Sequence, residues 1–274
     1  MADVFVRYLL GSEDHKDLLM DFLNAVFEQK GHELVVEIEL FNPFNLRSVR
    51  ESKESILDVR ARDSRGRWLN IEIQIDRDGS YANRSLYYWA KSYTAQLGTG
   101  EGYEALNPAV CINLLGFELF PQLPGYHSCF QVREVDQPEY VLSEHLQIHF
   151  IELPKNPLER ANEVRDALDR WCYYFEHEGS VEESEMTVLL DENKAIRKAH
   201  EVYREFTADA ELMDMVEARE KWLKDVNTRL ASAERQGMQK NARETARRMI
   251  DEGFEAATIS RITGLSEDEI RTLT

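Results

Sequence analysis

Residues 56–76 read ILDVRARDSRGRWLNIEIQID, and this stretch decides the fold. Side chains alternate faces along a strand. Leu69, Ile71, Ile73 and Ile75 therefore share one face, while Asn70, Glu72, Gln74 and Asp76 share the other. On the preceding run Leu57, Val59 and Ala61 oppose Asp58, Arg60 and Arg62. One apolar and one polar face on each run is the pattern of a half-buried hairpin. A three-residue loop, Ser64-Arg65-Gly66, puts Gly66 at the left-handed position such loops favour. Asp63 then pairs with Arg67, and counting back pairs Asp58 with Glu72. A two-residue loop would shift the pairing by one and turn Asp58 away from Glu72.

Directly opposed residues have Cβ atoms about 5 Å apart. Two carboxylates that close repel unless a cation sits between them. A hard divalent ion with oxygen ligands relieves that repulsion. Many nucleases hold a metal against a phosphodiester with acids that project in this way from neighbouring strands. The alternative reading is a solvent-facing hairpin with ordinary surface charges.

The chain has 274 residues and an ordinary apolar content, enough for one large domain or a domain with an appendage. No apolar run approaches the roughly 20 residues needed to span a bilayer. The start, MADVFVRYLLGSEDHK, lacks a basic leader and a long apolar stretch, so no secretory signal and no membrane partner is expected. Cys111, Cys129 and Cys172 are odd in number and show no paired spacing, which fits a reducing cytoplasm. The seven histidines do not cluster with them, so no zinc site is expected.

Net charge is −18, against a surface that grips nucleic acid everywhere but compatible with a local basic groove. Residues 217–274 hold 11 Lys+Arg and 11 Asp+Glu, so the excess lies in residues 1–216. Much of it falls in Glu176 to Glu192, EHEGSVEESEMTVLLDE, read as a solvated loop and helix start.

Helical spacing runs from Asp14 to Gln29 and from Tyr81 to Leu97, with Ser80 as a cap. Leu34–Phe41, Pro108–Phe120, Cys129–Val135 and Leu146–Leu153 read as strands. From Leu158 the character turns helical, over Leu158–Phe175 and Glu192–Ala233. Gln236-Gly237 reads as a break, followed by short helices turned at Gly253 and Gly264. Ser266 and Glu269 form a capping box. The expected division is 1–157, an α/β core; 158–236, a helical extension; and 237–274, a small helical tail with a helix-turn-helix look.

The series of elements resembles the PD-(D/E)XK nuclease core. It is most similar to the recombination-promoting nuclease (Rpn) family, also described as transposases of that type. The resemblance rests on Lys53, Leu57-Asp58-Val59, Gly66, Asn70-Ile71-Glu72-Ile73-Gln74, Arg84, Tyr87-Tyr88, Tyr93, Gln96-Leu97, Gly100, Tyr103, Ile151-Glu152-Leu153 and Gly264-Leu265-Ser266-Glu267-Asp268-Glu269-Ile270. It covers nearly the whole chain.

The resemblance implies a restriction-endonuclease-like mixed sheet flanked by helices, with a helical C-terminal extension. It implies hydrolysis of DNA phosphodiesters by an endonuclease of low sequence specificity, linked to recombination or mobile elements. Asp58, Glu72 and Gln74 are the implied catalytic residues. Asp58, Glu72 and the backbone carbonyl of Ile73 are the implied ligands for Mg²⁺ or another divalent cation such as Mn²⁺. Many members of the wider superfamily carry lysine at the place of Gln74. Glutamine has neither the charge nor the basicity of lysine, so a slow nuclease is expected. Lys53, Arg84, Tyr88, Tyr93 and Gln96 are candidates for DNA contact or site support. Asp17, Asp21, Glu28 and Glu39 are candidates for a further metal-site acid. Cutting both strands of DNA with one site per chain favours a homodimer. The rival readings are a weak or inactive DNA-binding or interaction module, and a toxin-like nuclease restrained by its C-terminal tail. The last helix, SEDEIRTL, is too acidic for a good major-groove reader.

Overall fold

The computed structural model describes residues 3–44, 58–179 and 183–273. They fall into two compact units, Met1–Val216 and Glu217–Thr274.

The first unit is built on a six-stranded sheet with order β1-β2-β3-β4-β6-β5. Its strands are β1 (Ile38–Leu40), β2 (Asp58–Asp63), β3 (Trp68–Gln74), β4 (Ala109–Leu115), β5 (His127–Arg133) and β6 (Val141–Glu152). β3, β4 and β6 run parallel in the middle, and antiparallel strands close both edges. Parallel neighbours need a crossover. Helix α3 (Tyr81–Thr94) supplies the one between β3 and β4.

The hairpin has the register that its letters imply. Asp58 pairs with Glu72, and Arg62 with Trp68. Gly66 takes φ 86°, the left-handed conformation that the turn requires. Asp63 Oδ1 accepts from Arg65 N at 3.0 Å and Arg67 N at 2.9 Å, and Asp63 N donates to Arg67 O.

The sheet is covered on both faces, not one. Val59, Ala61, Leu69, Ile71, Ile73, Val110, Ile112 and Leu114 are buried in one large core. Helices α1 (Asp3–Gly11), α2 (Lys16–Gln29), α4 (Ala167–His177) and α6 (Lys194–Ala208) add their apolar residues to it. On the opposite face Cys111, Leu115, Ile148 and Phe150 pack with Tyr81 and Phe117, and with the partly buried Trp89. The polar face of β3 is therefore enclosed: Asn70 is 5 % exposed and Glu72 8 %. On β3 this overturns the solvent-facing reading, while Arg60 on the polar face of β2 stays exposed. Packing of α3, which a strand's own alternation does not encode, is the cause.

Several boundaries move for local reasons. The strand expected over 34–41 shortens to β1, because Asn24 takes the backbone of Val35: its Oδ1 accepts from Val35 N at 2.7 Å and its Nδ2 donates to Val35 O at 3.0 Å. The helix expected from Leu158 begins at Ala167, where Asp166 caps it by accepting from Asp169 N at 2.7 Å. Ser80 stands at the N-cap of α3 but its hydroxyl donates to Asp78 Oδ1 at 2.7 Å instead of capping. α5 (Glu183–Glu192) carries part of the acidic stretch.

Helix α7 (Ala210–Asp251), whose residues from Glu217 onward belong to the second unit, runs uninterrupted through Gln236-Gly237, where a break was expected. One glycine in a helix interior costs only about 1 kcal/mol relative to alanine. α8 (Ala256–Thr263) and α9 (Glu267–Arg271) follow, turned at Gly253 (φ 83°) and Gly264 (φ 74°). Ser266 and Glu269 form the reciprocal capping box. Ala246, Ile259, Leu265 and Ile270 make the small core.

Candidate active site

Glu72 lies in the middle of β3, and three neighbours in the sheet define its surroundings. Asp58, the first residue of β2, is its direct partner on one side. Asn113 of β4 is its partner on the other. Asn70, two residues back on the same face, donates from Nδ2 to Glu72 Oε1 at 3.0 Å.

Helix α3 roofs this face. Tyr81 Oη and Ser85 Oγ each donate to Asn113 Oδ1 at 3.1 Å, and Asn113 Nδ2 donates to the carbonyl of His149 at 2.9 Å. Asn113 is fully buried, and its partners satisfy both ends of its amide. This network was not anticipated. Its one signal in the sequence is a lone polar residue in the apolar run AVCINLL of β4.

Gln74 lies at the end of β3. Its Nε2 donates to the carbonyl of Asp76 at 3.0 Å, and its Oε1 accepts from Arg84 Nη2 at 3.4 Å. Arg84 is held in turn by Asp78 Oδ2, 3.6 Å from its Nη1, and by the rings of Tyr81 and Tyr88, whose centroids lie 5.2 Å and 5.7 Å from its Cζ. Hydrogen bonds from the Ser80 hydroxyl and amide hold the Asp78 carboxyl below the usual carboxylate range, so it faces Arg84 as an anion.

The field around Glu72 is negative. Burial, then the charge of Glu72, push the Cys111 thiol up to about 12 and raise the Tyr81 phenol in the same way. Asn70 Oδ1, also buried, has no hydrogen-bond partner among the described residues. The buried carboxylate of Glu72 and the amide oxygen of Asn70, without a hydrogen-bond partner among the described residues, are both oxygen donors. That chemistry fits a hard divalent cation better than a soft one.

The other candidates are distributed unevenly. Lys53 lies outside the described residues. The side chain of Ile73 is buried in the core of the opposite face. Tyr88 joins the site through Arg84. Tyr93 sits in the last turn of α3 and Gln96 just past its end. Tyr93 Oη meets His145 Nδ1 at 2.9 Å, and Gln96 bonds both the amide and the carbonyl of Asn107, just before β4. α2, which carries Asp17, Asp21 and Glu28, packs on the opposite face of the sheet. There Asp17 binds Lys198 at 2.6 Å and Asp21 accepts from the Trp171 indole at 2.8 Å. Glu39 pairs in register with Arg62, four residues along β2 from Asp58. That separation is about 13 Å along a strand.

Residues 1–233 match the family model of the PD-(D/E)XK nuclease family transposases. Residues 239–274 match that of the C-terminal HTH domain of the Rpn/YhgA-like nuclease family. No curated protein and no solved structure gives a significant match.

Proposed function

The chain belongs to the PD-(D/E)XK nuclease family of transposases, and from that membership we propose a divalent-metal-dependent DNA endonuclease of low sequence specificity, working in recombination or mobile-element movement. The observation that carries this reading is the pairing of Asp58 with Glu72 across the β2–β3 ladder, beside Gln74.

In this reading Asp58, Glu72 and the carbonyl of Ile73 bind Mg²⁺ or Mn²⁺. A cation held there supplies a Lewis acid for the scissile phosphate and lowers the pKa of a coordinated water. The protein's own contribution is positional. Asn70 fixes the carboxylate of Glu72. Arg84 and the Asp76 carbonyl orient the amide of Gln74, which can hydrogen-bond a water or a phosphate oxygen but carries no charge. The guanidinium of Arg84 is the nearby cation suited to a phosphate. Lys53 is proposed as a further phosphate contact.

DNA is the proposed partner, and a homodimer the proposed assembly for cutting both strands. In the second unit the exposed Lys240, Arg243 and Arg247 recur at helical spacing on α7. They suit phosphate contact better than the acidic α9 with Glu267, Asp268 and Glu269. No described helix is long and apolar enough to cross a membrane. A cytoplasmic setting fits the three free cysteines.

Nicking of supercoiled plasmid with and without Mg²⁺ tests the proposal. We expect metal-dependent nicking that Asp58→Ala and Glu72→Ala each abolish while the melting curve keeps its cooperativity. Full activity in either variant removes the site. The uncharged Gln74 favours one second reading, a scaffold that binds but scarcely cleaves. A protein whose melting responds to neither Mg²⁺ nor Mn²⁺ would support it.

A further inference from the structure

Across the sheet from Glu72, a second cluster takes no part in the chemistry above. Cys129 of β5 and His149 of β6 are direct cross-strand partners. His149 is also level with Ile112, and Ile112 with Ile71, so the pair belongs to the face opposite Glu72. His32 reaches the same place from the turn after α2, where Gly31 takes φ 70°. Widely separated in the chain, the three residues meet in space.

Cys129 Sγ lies 3.6 Å from His149 Nε2 and 3.8 Å from His32 Nε2. All three ligand atoms lie within 4.8 Å of one another. Tetrahedral zinc, with Zn–S about 2.3 Å and Zn–N about 2.0–2.1 Å, has S···N edges of about 3.6 Å. Two edges are thus already near that length. The remaining edge, between the two imidazole nitrogens, is no longer than 4.8 Å, and His32 is the partly exposed ring.

The hydrogen bonds behind the cluster fix its tautomers. Gln29 Nε2 donates to Tyr126 Oη at 2.8 Å and to the Asp166 carboxylate at 3.1 Å. Its Oε1 therefore faces His127 Nδ1, 2.5 Å away, and must accept from it. His127 Nε2 is 3.0 Å from His149 Nδ1. A neutral imidazole carries one N–H, and His127 spends its own on Gln29. His127 Nε2 then accepts and His149 Nδ1 donates. The lone pair of His149 is left on Nε2, toward Cys129. An outer hydrogen bond that sets the ring in this way is the usual support of a metal-bound histidine.

We propose that His32, Cys129 and His149 form a second metal site, for a thiophilic transition ion of the zinc class, with a fourth position open to water or an outside ligand. Its thiolate and imidazole donors differ in kind from the oxygen set around Glu72, so the two sites select different ions. A coordinated thiol is deprotonated outright, so the ion replaces the proton.

Co²⁺ alone, titrated into the full chain carrying Asp58→Ala, is the probe. We expect a thiolate-to-cobalt charge-transfer band, displaced by Zn²⁺. Cys129→Ser removes the band, and both Cys129→Ser and His32→Ala weaken Zn²⁺ binding by about 100-fold or more. Far-ultraviolet dichroism checks that each variant is folded. A folded Asp58→Ala protein without the band, or an unchanged band in Cys129→Ser, overturns the site and identifies the trio as a hydrogen-bonded packing cluster.

Discussion

Arg84 Nη2 of α3 meets Gln74 Oε1 of β3 at 3.4 Å, so a helix residue holds the uncharged member of the proposed catalytic set. Losing a hydrogen bond from a charged donor costs about 1.5–3 kcal/mol, or roughly 10–150-fold in rate. Arg84→Ala is expected to slow plasmid nicking by that factor while the Mg²⁺-induced shift in melting persists. Arg84→Lys keeps the charge but loses the fork and the ring contacts, and falls between. A wild-type rate in Arg84→Ala would reduce its role to packing over Tyr81.

Glu152 is fully buried at the end of β6. Its Oε1 accepts from Leu119 N at 2.6 Å and Phe120 N at 2.9 Å, and its Oε2 binds Lys155 Nζ at 2.9 Å. Lys155 also donates to the carbonyls of Phe120 and Leu123. Removing one member of a buried ion pair costs about 3–5 kcal/mol, because the other charge stays behind. Urea unfolding of Glu152→Ala is expected to show that loss, and an unshifted midpoint would refute the clamp.

Gly66 sets the hairpin register. A Cβ there would stand 2.6 Å from Asn107 Oδ1, and the backbone has φ 86°. Gly66→Ala is expected to destabilise by about 1–2 kcal/mol. Gly79, with open space around it and no positive φ, is the control. Equal midpoints for the two alanine variants would contradict the strain argument.

Burial pushes the Glu176 carboxyl up to about 7 from its ordinary 4.5. The folded state thus keeps a proton that the unfolded chain releases. Stability from this group is complete below pH about 4.5 and is lost as pH rises through about 7. Glu176→Gln is expected to flatten that decline and to raise the melting temperature relative to wild type at pH 8. Parallel pH profiles for the two proteins would show that the carboxyl titrates normally.

Legibility followed locality. The pairing of Asp58 with Glu72 was readable because alternation and the turn at Gly66 act within about fifteen residues. The capping box of Ser266 and Glu269 was readable for the same reason. Helix α1 was not anticipated, and the rest of the site did not show. Asn113 and Ser85 join it only because α3 crosses back over the sheet.

By itself the sequence determined the hairpin, its register, the family and the two acids at one level of the ladder, since backbone periodicity and turn geometry are written in neighbouring residues. Tertiary structure alone decided that Glu72 is enclosed, that Arg84 holds Gln74, and that His32, Cys129 and His149 meet. Those facts depend on which surfaces pack together, and burying apolar area brings together residues whose separation along the chain carries no trace of the contact.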